Sequence, residues 1–192
     1  MKPYSHLLIP VLFIACGASA AHAQESWDAG FKLVAGNFSG ADGAGIGQSK
    51  NYGVAMFGTY ILSLRQSLEF DGGYRYFPTA TTANNGVTQD NKTDGYYASA
   101  LYRWGLREDL YLHAGLRASR FRANSKTFYS DGSSTPAVKG AITTAVRPMV
   151  GAGARLSDKY SVELNLVSFE TANVGGKTKS GVMVEVALAI HL

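Results

Sequence analysis

The histidines of the chain are the first candidates for chemistry. Four histidines occur, and His113 and His191 are the two that lie beyond the first 23 residues. A histidine base must come within hydrogen-bond distance of the nucleophile that it activates. Ser168 and Glu170 fall near one end of the predicted strands, whereas both histidines fall near the other end. The sequence therefore predicts a protein that is not an enzyme, and we expect His113 to bond to a neighbouring carboxylate or tyrosine.

Two further motifs resemble ligand sites but lack the context that such sites require. The run Gly43-Ala44-Gly45-Ile46-Gly47 is not followed by a helical pattern, so a phosphate-binding loop is not indicated. Asp90, Asn91 and Asp94 are too few and wrongly spaced for a calcium loop. The sequence predicts solvated loops in both places, with no cofactor and no metal.

Residues 1–23 have the form of a secretory signal peptide. Lys2 gives a positive start, residues 7–15 form a short apolar stretch, and Ala21-His22-Ala23 fits an A-x-A cleavage site. The apolar stretch is too short for a spanning helix, which needs about 20 apolar residues. We expect this leader to be removed, leaving residues 24–192 as one domain.

The composition of the mature chain excludes two classes of protein. Cys16 lies in the leader and is the single cysteine, so no disulfide framework is expected; a lipoprotein signal ending at Cys16 is the alternative interpretation of this region. Without Lys2, 17 basic residues face 14 acidic ones, a net charge of +3. This mild and scattered charge does not predict a nucleic-acid partner.

From residue 26 onward the apolar residues alternate with period two, and long helical patterns are absent. In the first segment Ala29, Phe31 and Leu33 share one face, whereas Asp28 and Lys32 share the other. The same pattern predicts eight strands, an even number. They occupy residues 27–36, 52–65, 68–76, 96–106, 110–119, 142–156, 160–166 and 182–192.

The predicted connections alternate between short and long. Short polar turns contain Arg65-Gln66, Arg107-Glu108-Asp109 and Ser157-Asp158-Lys159. Short turns on one rim and long loops on the other are typical of outer-membrane barrels, in which the short turns face the periplasm. The long polar connections are expected at residues 39–51, 78–94, 122–140 and 170–180.

A proline interrupts one predicted strand. Pro148 falls within the sixth segment, on its apolar face. Proline has no backbone N–H to donate to a sheet, so a bulge or a locally weak pairing is expected there.

The apolar face carries aromatic residues near both ends of the predicted strands. Such rings form the girdles of a membrane protein at its two interfaces, which favours an apolar face towards lipid over the reverse arrangement of a soluble barrel. Near the short turns they are Trp27, Phe70, Trp104 and Tyr160; near the long loops they are Tyr52, Tyr74, Tyr76 and Tyr96.

The polar face combines glycines with charges of both signs. An eight-stranded barrel has an interior just wide enough for its side chains, and an unpaired buried charge is costly. We therefore predict a structural charge network in the interior, although the same residues would also suit a plug or a conduction path. Its predicted members are Glu69, Asp71, Arg75, Arg103, His113, Arg117, Arg147, Arg155, Glu163 and Glu185.

The pattern over the whole mature chain resembles the small eight-stranded outer-membrane β-barrel families, including the transmembrane domain of the OmpA type. In such families the last strand resembles an assembly signal with apolar residues at alternate positions. Val186, Leu188, Ile190 and Leu192 fit this, although the usual terminal aromatic is replaced by Leu192.

The resemblance implies an all-β, up-and-down transmembrane barrel in the outer membrane of a Gram-negative bacterium. Its partners would be outer-membrane lipid, lipopolysaccharide, the assembly machinery and an unidentified surface ligand. We expect a structural or surface-interaction role through the extracellular loops. A narrow passive channel and a lipid-modifying enzyme are the alternatives.

Overall fold

A computed structural model describes residues 27–39, 50–172 and 178–192. The predicted signal peptide and the glycine run at 43–47 lie outside these residues. The described chain contains no helix long and apolar enough to cross a membrane. It forms eight strands: β1 (Trp27–Ser39), β2 (Lys50–Ser63), β3 (Gln66–Asn84), β4 (Val87–Gly105), β5 (Leu110–Tyr129), β6 (Val138–Arg155), β7 (Tyr160–Ala172) and β8 (Thr178–His191).

The strands form a closed antiparallel barrel in chain order. Each strand pairs with the next, and β1 pairs with β8 to close the ring, with Leu33 opposite Leu188. A closed ring lets each strand hydrogen-bond to a neighbour on both sides, which is the condition for a sheet to lie in lipid. The predicted fold class, an eight-stranded up-and-down barrel, is confirmed.

β3, β4 and β5 continue past the barrel rim, with the start of β6 paired beside β5, where the sequence analysis predicts long polar connections. β3 and β4 stay paired as far as a two-residue turn at Asn85 and Gly86. These residues have positive φ angles of 48° and 77°, a conformation that Asn-Gly adopts readily in tight hairpins. Segments 78–94 and 122–140, which the sequence analysis predicts as long polar loops, are instead largely strand.

We call residues 78–94 together with residues 122–129 of β5 the projecting ribbon. At about 3.3 Å per residue, β3 carries it on the order of 20 Å past Phe77. Side chains tie its strands together, since Thr81 donates to Asp90 over 2.7 Å and Gln89 to Ser125 over 2.8 Å. The ribbon is therefore a paired sheet that can hold side chains in fixed positions.

The ladder between β6 and β7 ends beside the proline of β6. Pairing runs from Arg155 opposite Ser161 to Met149 opposite Val167, and within the described residues it stops there. Pro148 is the next residue of β6 and still lies opposite Leu116 of β5. The expected weak pairing therefore takes the form of a shortened β6–β7 ladder, with no register shift at the proline.

The inward and outward faces are those that the alternation predicts. Leu112 and Leu164 point outward and are 43% and 52% exposed, whereas Glu163 and Glu185 are fully buried inside. An apolar exterior around a charged interior is the arrangement of a barrel that has lipid as its solvent.

The predicted interface aromatics lie on the outward positions of their strands. Near the short turns the rings of Trp27 and Tyr60 are 5.1 Å apart, and near the ribbon those of Tyr74 and Tyr96 are 5.4 Å apart. Tyr74 and Tyr76 are half-buried. The remaining six are exposed: Trp27, Tyr52, Phe70, Tyr96, Trp104 and Tyr160.

Candidate functional site in the barrel interior

The first of two buried charge clusters centres on Glu163 of β7, and we call it the lower cluster. Lys32 donates from Nζ to the carboxylates of Glu69 and Glu163, over 2.7 Å in each case, and lies 3.6 Å from Asp71. Arg103 bridges the same two glutamates. All five side chains are buried. Burial is tolerable because each charge contacts an opposite one.

The upper cluster lies nearer the ribbon and centres on Glu185 of β8. Its carboxylate accepts two hydrogen bonds from Nη1 of Arg117, over 2.7 and 2.8 Å, and lies 2.7 Å from Nη2 of Arg75. Arg75 also donates to Asn51 over 2.6 Å. Both guanidinium groups face the ring of Tyr97, at 4.9 and 4.3 Å from its centre. Each arginine is therefore both paired and stacked.

An apolar layer packs between and beyond the charge clusters, since Leu101 lies between Arg103 and Tyr97 on β4. Asn51 joins this layer to the upper cluster, because its amide nitrogen lies 3.3 Å from the sulfur of Met183. A water-filled passage at this level would expose these side chains to solvent, yet each is at most 2% exposed. The layer consists of Phe38, Phe77, Leu101, Phe121, Met149, Val167 and Met183.

A glycine of β6 lets a tyrosine of β5 reach the lower cluster. Tyr111, Gly153 and Glu163 lie opposite one another on three successive strands. The ring of Tyr111 passes over Gly153, where a Cβ would overlap it, and its hydroxyl donates to Glu163 over 2.9 Å. Gly153 thus provides the space for this hydrogen bond.

Replacing Gly153 with alanine should therefore destabilise the barrel by about 1–3 kcal/mol, the usual cost of overpacking. The measurement is urea unfolding of protein folded in lipid vesicles. Gly58→Ala is the matched control, because a Cβ there would meet Trp27 at 4.0 Å, an ordinary contact. Equal midpoints for the two variants would show that the Tyr111 ring does not occupy the space above Gly153.

The structure places His113 beside an amide. Its Nε2 bonds to Oδ1 of Asn165, passing over Gly151, and its ring lies 6.0 Å from that of Tyr111. Asn165 is thus the partner where the sequence analysis expects a carboxylate or a tyrosine.

The remaining predicted members of the network are Arg147 and Arg155. Arg147 is half-buried on β6, directly opposite Arg117. Arg155 is exposed at the short-turn rim, where it lies 3.5 Å from the backbone oxygen of Asp158, so it is not part of the buried network. Arg155 is the last residue of β6, which explains why its side chain reaches solvent.

Sequence reasoning missed several residues of the network, of which Lys32 is the most important. The alternation already places Lys32 on the inward face, in phase with Asp28. Apart from His113, the predicted cations of the network were nevertheless all arginines. Others that were missed are Asn51, Tyr97, Tyr111 and Asn165.

A third polar group lies at the short-turn mouth, where β7, β8 and β1 meet. Ser161 Oγ lies 2.9 Å from Nε2 of His191, whose Nδ1 lies 2.7 Å from Oδ2 of Asp28. These three residues line an open cavity of about 190 Å³. Within the described residues, no group of three His, Cys, Asp or Glu side chains is placed to hold a metal ion.

Neither a family model nor a curated protein sequence matches the chain. Among solved structures, Neisserial surface protein A is similar with a TM-score of 0.52 and 13% identity, over 87% of this chain and 96% of that one. The chain has the fold of the small outer-membrane β-barrels.

Two further solved barrels are similar at lower scores. Ail, the attachment invasion locus protein of Yersinia pestis, is 10% identical with a TM-score of 0.48, over 87% of this chain and 97% of that one. Acinetobacter baumannii CarO is 14% identical with a TM-score of 0.45, over 85% and 97%.

Proposed function

We propose that this protein is exported, loses residues 1–23, and resides in the outer membrane of a Gram-negative bacterium, where the projecting ribbon makes contacts at the cell surface. The apolar exterior and the aromatic pairs at both ends of the barrel support the location. The alternation at the end of β8 suits handling by the outer-membrane assembly machinery.

The observation that carries the proposal is the ribbon itself. It is a paired sheet that presents basic and aromatic side chains together. Lys92 Nζ lies 5.2 Å from the ring centre of Tyr76, and Lys126 Nζ lies 4.7 Å from that of Phe128. Both lysines are exposed, and Tyr129 is exposed beside the turn that follows β5. Basic and aromatic groups held on a firm backbone suit the binding of an acidic surface.

The base of the ribbon suits contact with lipopolysaccharide. Arg120 and Arg122 are exposed on β5, and Arg120 lies opposite Tyr96 of the aromatic girdle. Arginines at this level would meet the phosphate groups of the outer leaflet, where they can form two parallel hydrogen bonds.

The interior does not favour a passive channel. Both charge clusters and the apolar layer are shielded from solvent. An eight-stranded barrel has little room beyond its own side chains. We therefore assign the charge clusters a structural role and expect single-channel recordings to show no steady conductance.

A shortened ribbon tests the proposed role. Deleting residues 80–83 together with residues 88–91 removes four cross-strand pairs and keeps the turn at Asn85 and Gly86. We expect cells that display this variant to be retained several-fold less on beads coated with dextran sulfate, a soluble polyanion. Retention is compared at equal amounts of surface protein.

Single-lysine variants distinguish the effect of the ribbon's charge on retention from the effect of its shape. Lys126→Ala removes an exposed charge from the ribbon, and Lys159→Ala removes one from the opposite rim. We expect Lys126→Ala to lower retention and Lys159→Ala to leave it unchanged. If the shortened variant and wild type are retained equally, the ribbon is not the binding element.

A further inference from the structure

The polar group at the short-turn mouth has the order of contacts found in a serine hydrolase. Asp28, His191 and Ser161 come from the start of β1, the end of β8 and the start of β7, which are neighbouring strands. Their side chains form one chain of hydrogen bonds, 2.7 Å from Asp28 to His191 and 2.9 Å from His191 to Ser161. Such a constellation is recognised by geometry and roles rather than by sequence order.

The carboxylate sets the direction of these hydrogen bonds. An ionised carboxylate only accepts, so Nδ1 of His191 must carry a proton and donate it to Asp28. In a neutral imidazole Nε2 is then the acceptor, and the hydroxyl of Ser161 donates to it. This tautomer leaves His191 ready to take the proton of Ser161, which is the function of a general base.

A second observation marks the mouth as a site for a ligand. Thr59 lies opposite Asp28 on β2 and lines the same cavity. Its hydroxyl is buried and, among the described residues, has no hydrogen-bond partner. A buried polar group without a partner is costly, and this one can donate to an oxygen of a bound molecule.

The rim of the cavity indicates the class of substrate. Among the exposed residues that line the cavity, three are basic (Arg65, Arg107 and Arg155) and one is acidic (Glu108). This excess of positive charge favours a ligand with an anionic group. Apolar side chains complete the lining and suit a short acyl chain; they are Ile61, Leu64 and Leu110.

We propose that Ser161, His191 and Asp28 form a hydrolase site that cleaves carboxylic esters carrying a phosphate or carboxylate group. Ser161 and His191 are the catalytic residues, and Asp28 is a positioning residue that holds the imidazole. The site is separate from the projecting ribbon, so a failure of the proposed surface role would not affect this proposal. It departs from the sequence-based expectation of a protein that is not an enzyme, which considered Ser168 and Glu170 instead.

The reaction balances with water as the second reactant. Ser161 Oγ bonds to the ester carbonyl carbon while its proton passes to Nε2 of His191. The carbon–oxygen bond of the ester breaks, and His191 gives that proton to the leaving alcohol. Water then attacks the acyl-serine and gives a proton to His191. Oγ leaves the acyl carbon, recovers the proton, and the carboxylic acid departs.

Covalent labelling of the whole protein, folded in detergent, tests the site directly. A fluorophosphonate probe loses fluoride when it bonds to an activated serine, and peptide mass spectrometry locates the adduct. We expect an adduct on Ser161 in wild type, none in Ser161→Ala, and undiminished labelling in Ser67→Ala, a second serine of the same mouth. His191→Ala should slow labelling by about 100-fold or more.

Every variant is checked for folding by its gel mobility before and after boiling. A folded wild type that acquires no adduct at Ser161 would overturn the proposal and leave the three residues as a hydrogen-bonded clasp between β7, β8 and β1. Labelling of Ser161→Ala at the wild-type rate would overturn it equally.

The kinetic constants of an Asp28 variant distinguish a positioning role in catalysis from a purely structural role. Asp28→Asn keeps the size of the side chain but allows the opposite imidazole tautomer. Its kcat on 4-nitrophenyl butyrate should fall by about 100-fold or more while KM stays the same. An unchanged kcat in a folded Asp28→Asn variant would contradict the assigned tautomer.

Two substrates distinguish the source of the ester. Monomeric dihexanoyl phosphatidylglycerol presents a soluble anionic ester, and vesicles of dioleoyl phosphatidylglycerol present a lipid surface. Faster hydrolysis of the soluble ester or of the vesicle lipid identifies which of the two is the source of the substrate. If neither is hydrolysed, the proposed substrate class is wrong. Replacing Arg65 and Arg107 with Gln should raise KM for the anionic ester more than KM for 4-nitrophenyl butyrate, which is neutral.

Discussion

Replacing Glu163 with alanine should lower the free energy of unfolding of the barrel by about 3–5 kcal/mol. Glu163 accepts hydrogen bonds from Lys32 and Tyr111 and contacts Arg103, and all of these contacts are in the interior. Without its carboxylate, one shared partner of two buried cations is lost, and Glu69 alone must bridge both. Lys32, Arg103 and Tyr111 each lose a buried partner that water cannot replace, and the loss of such contacts is costly.

Urea unfolding in lipid vesicles measures this effect, with tryptophan fluorescence as the signal. The chain has two tryptophans, and Trp27 and Trp104 both lie on the outward face near the short turns. Glu108→Ala is the control, since Glu108 is exposed in the β4–β5 turn and its loss should change stability by less than about 0.5 kcal/mol. If Glu163→Ala costs no more than Glu108→Ala, the lower cluster is solvated and the interior is not filled as described.

Replacing Leu164 with arginine should cost about 2–4 kcal/mol, the cost of a cation near the middle of the bilayer on the outer face of a barrel. Leu164 is outward and 52% exposed. It lies four residues beyond Tyr160 of the short-turn girdle on β7, which places it well inside a band about 25 Å tall. The arginine would have to stretch to the interface or draw water into lipid.

The matched control moves the same substitution out of the membrane. Leu64 lies in the β2–β3 turn and is fully exposed, so Leu64→Arg should change stability by about 1 kcal/mol or less. Both variants are unfolded in the same vesicles. Equal stability of the Leu164→Arg and Leu64→Arg proteins would mean that the outward face of β7 meets water.

The alternation in the sequence was enough to predict the number of strands and which side chains point inward. This works because a strand turns successive side chains to opposite faces whatever its neighbours are. Glu69, Glu163 and Glu185 could therefore be assigned to the interior before any register was known. Their degree of burial follows from the small diameter of eight strands.

The projecting ribbon was missed for a local reason. Residues 78–94 are mostly small and polar, so they show little alternation of apolar and polar side chains. The pair Asn85-Gly86 is nevertheless a hairpin signal, and it marks the turn between β3 and β4. By itself, this pair predicts a hairpin in place of a loop.

The pairings inside the barrel could not be predicted from spacing. Lys32 of β1 meets Glu163, a residue 131 positions away on β7, because the strands are staggered around a closed ring. The contact between His191 and Asp28 likewise depends on the closure of β8 onto β1, which joins residues 163 positions apart. Register and stagger are properties of the assembled sheet, so the chain of contacts at the mouth emerges only in the folded barrel.

The measurement that tests the fold and its location together is gel mobility of the protein from a washed outer-membrane fraction, with and without boiling. A closed barrel keeps its structure in cold detergent and migrates as a compact species, so we predict faster migration before boiling and a shift afterwards. Recovery in the soluble periplasm, with the same mobility in both samples, would contradict a transmembrane barrel.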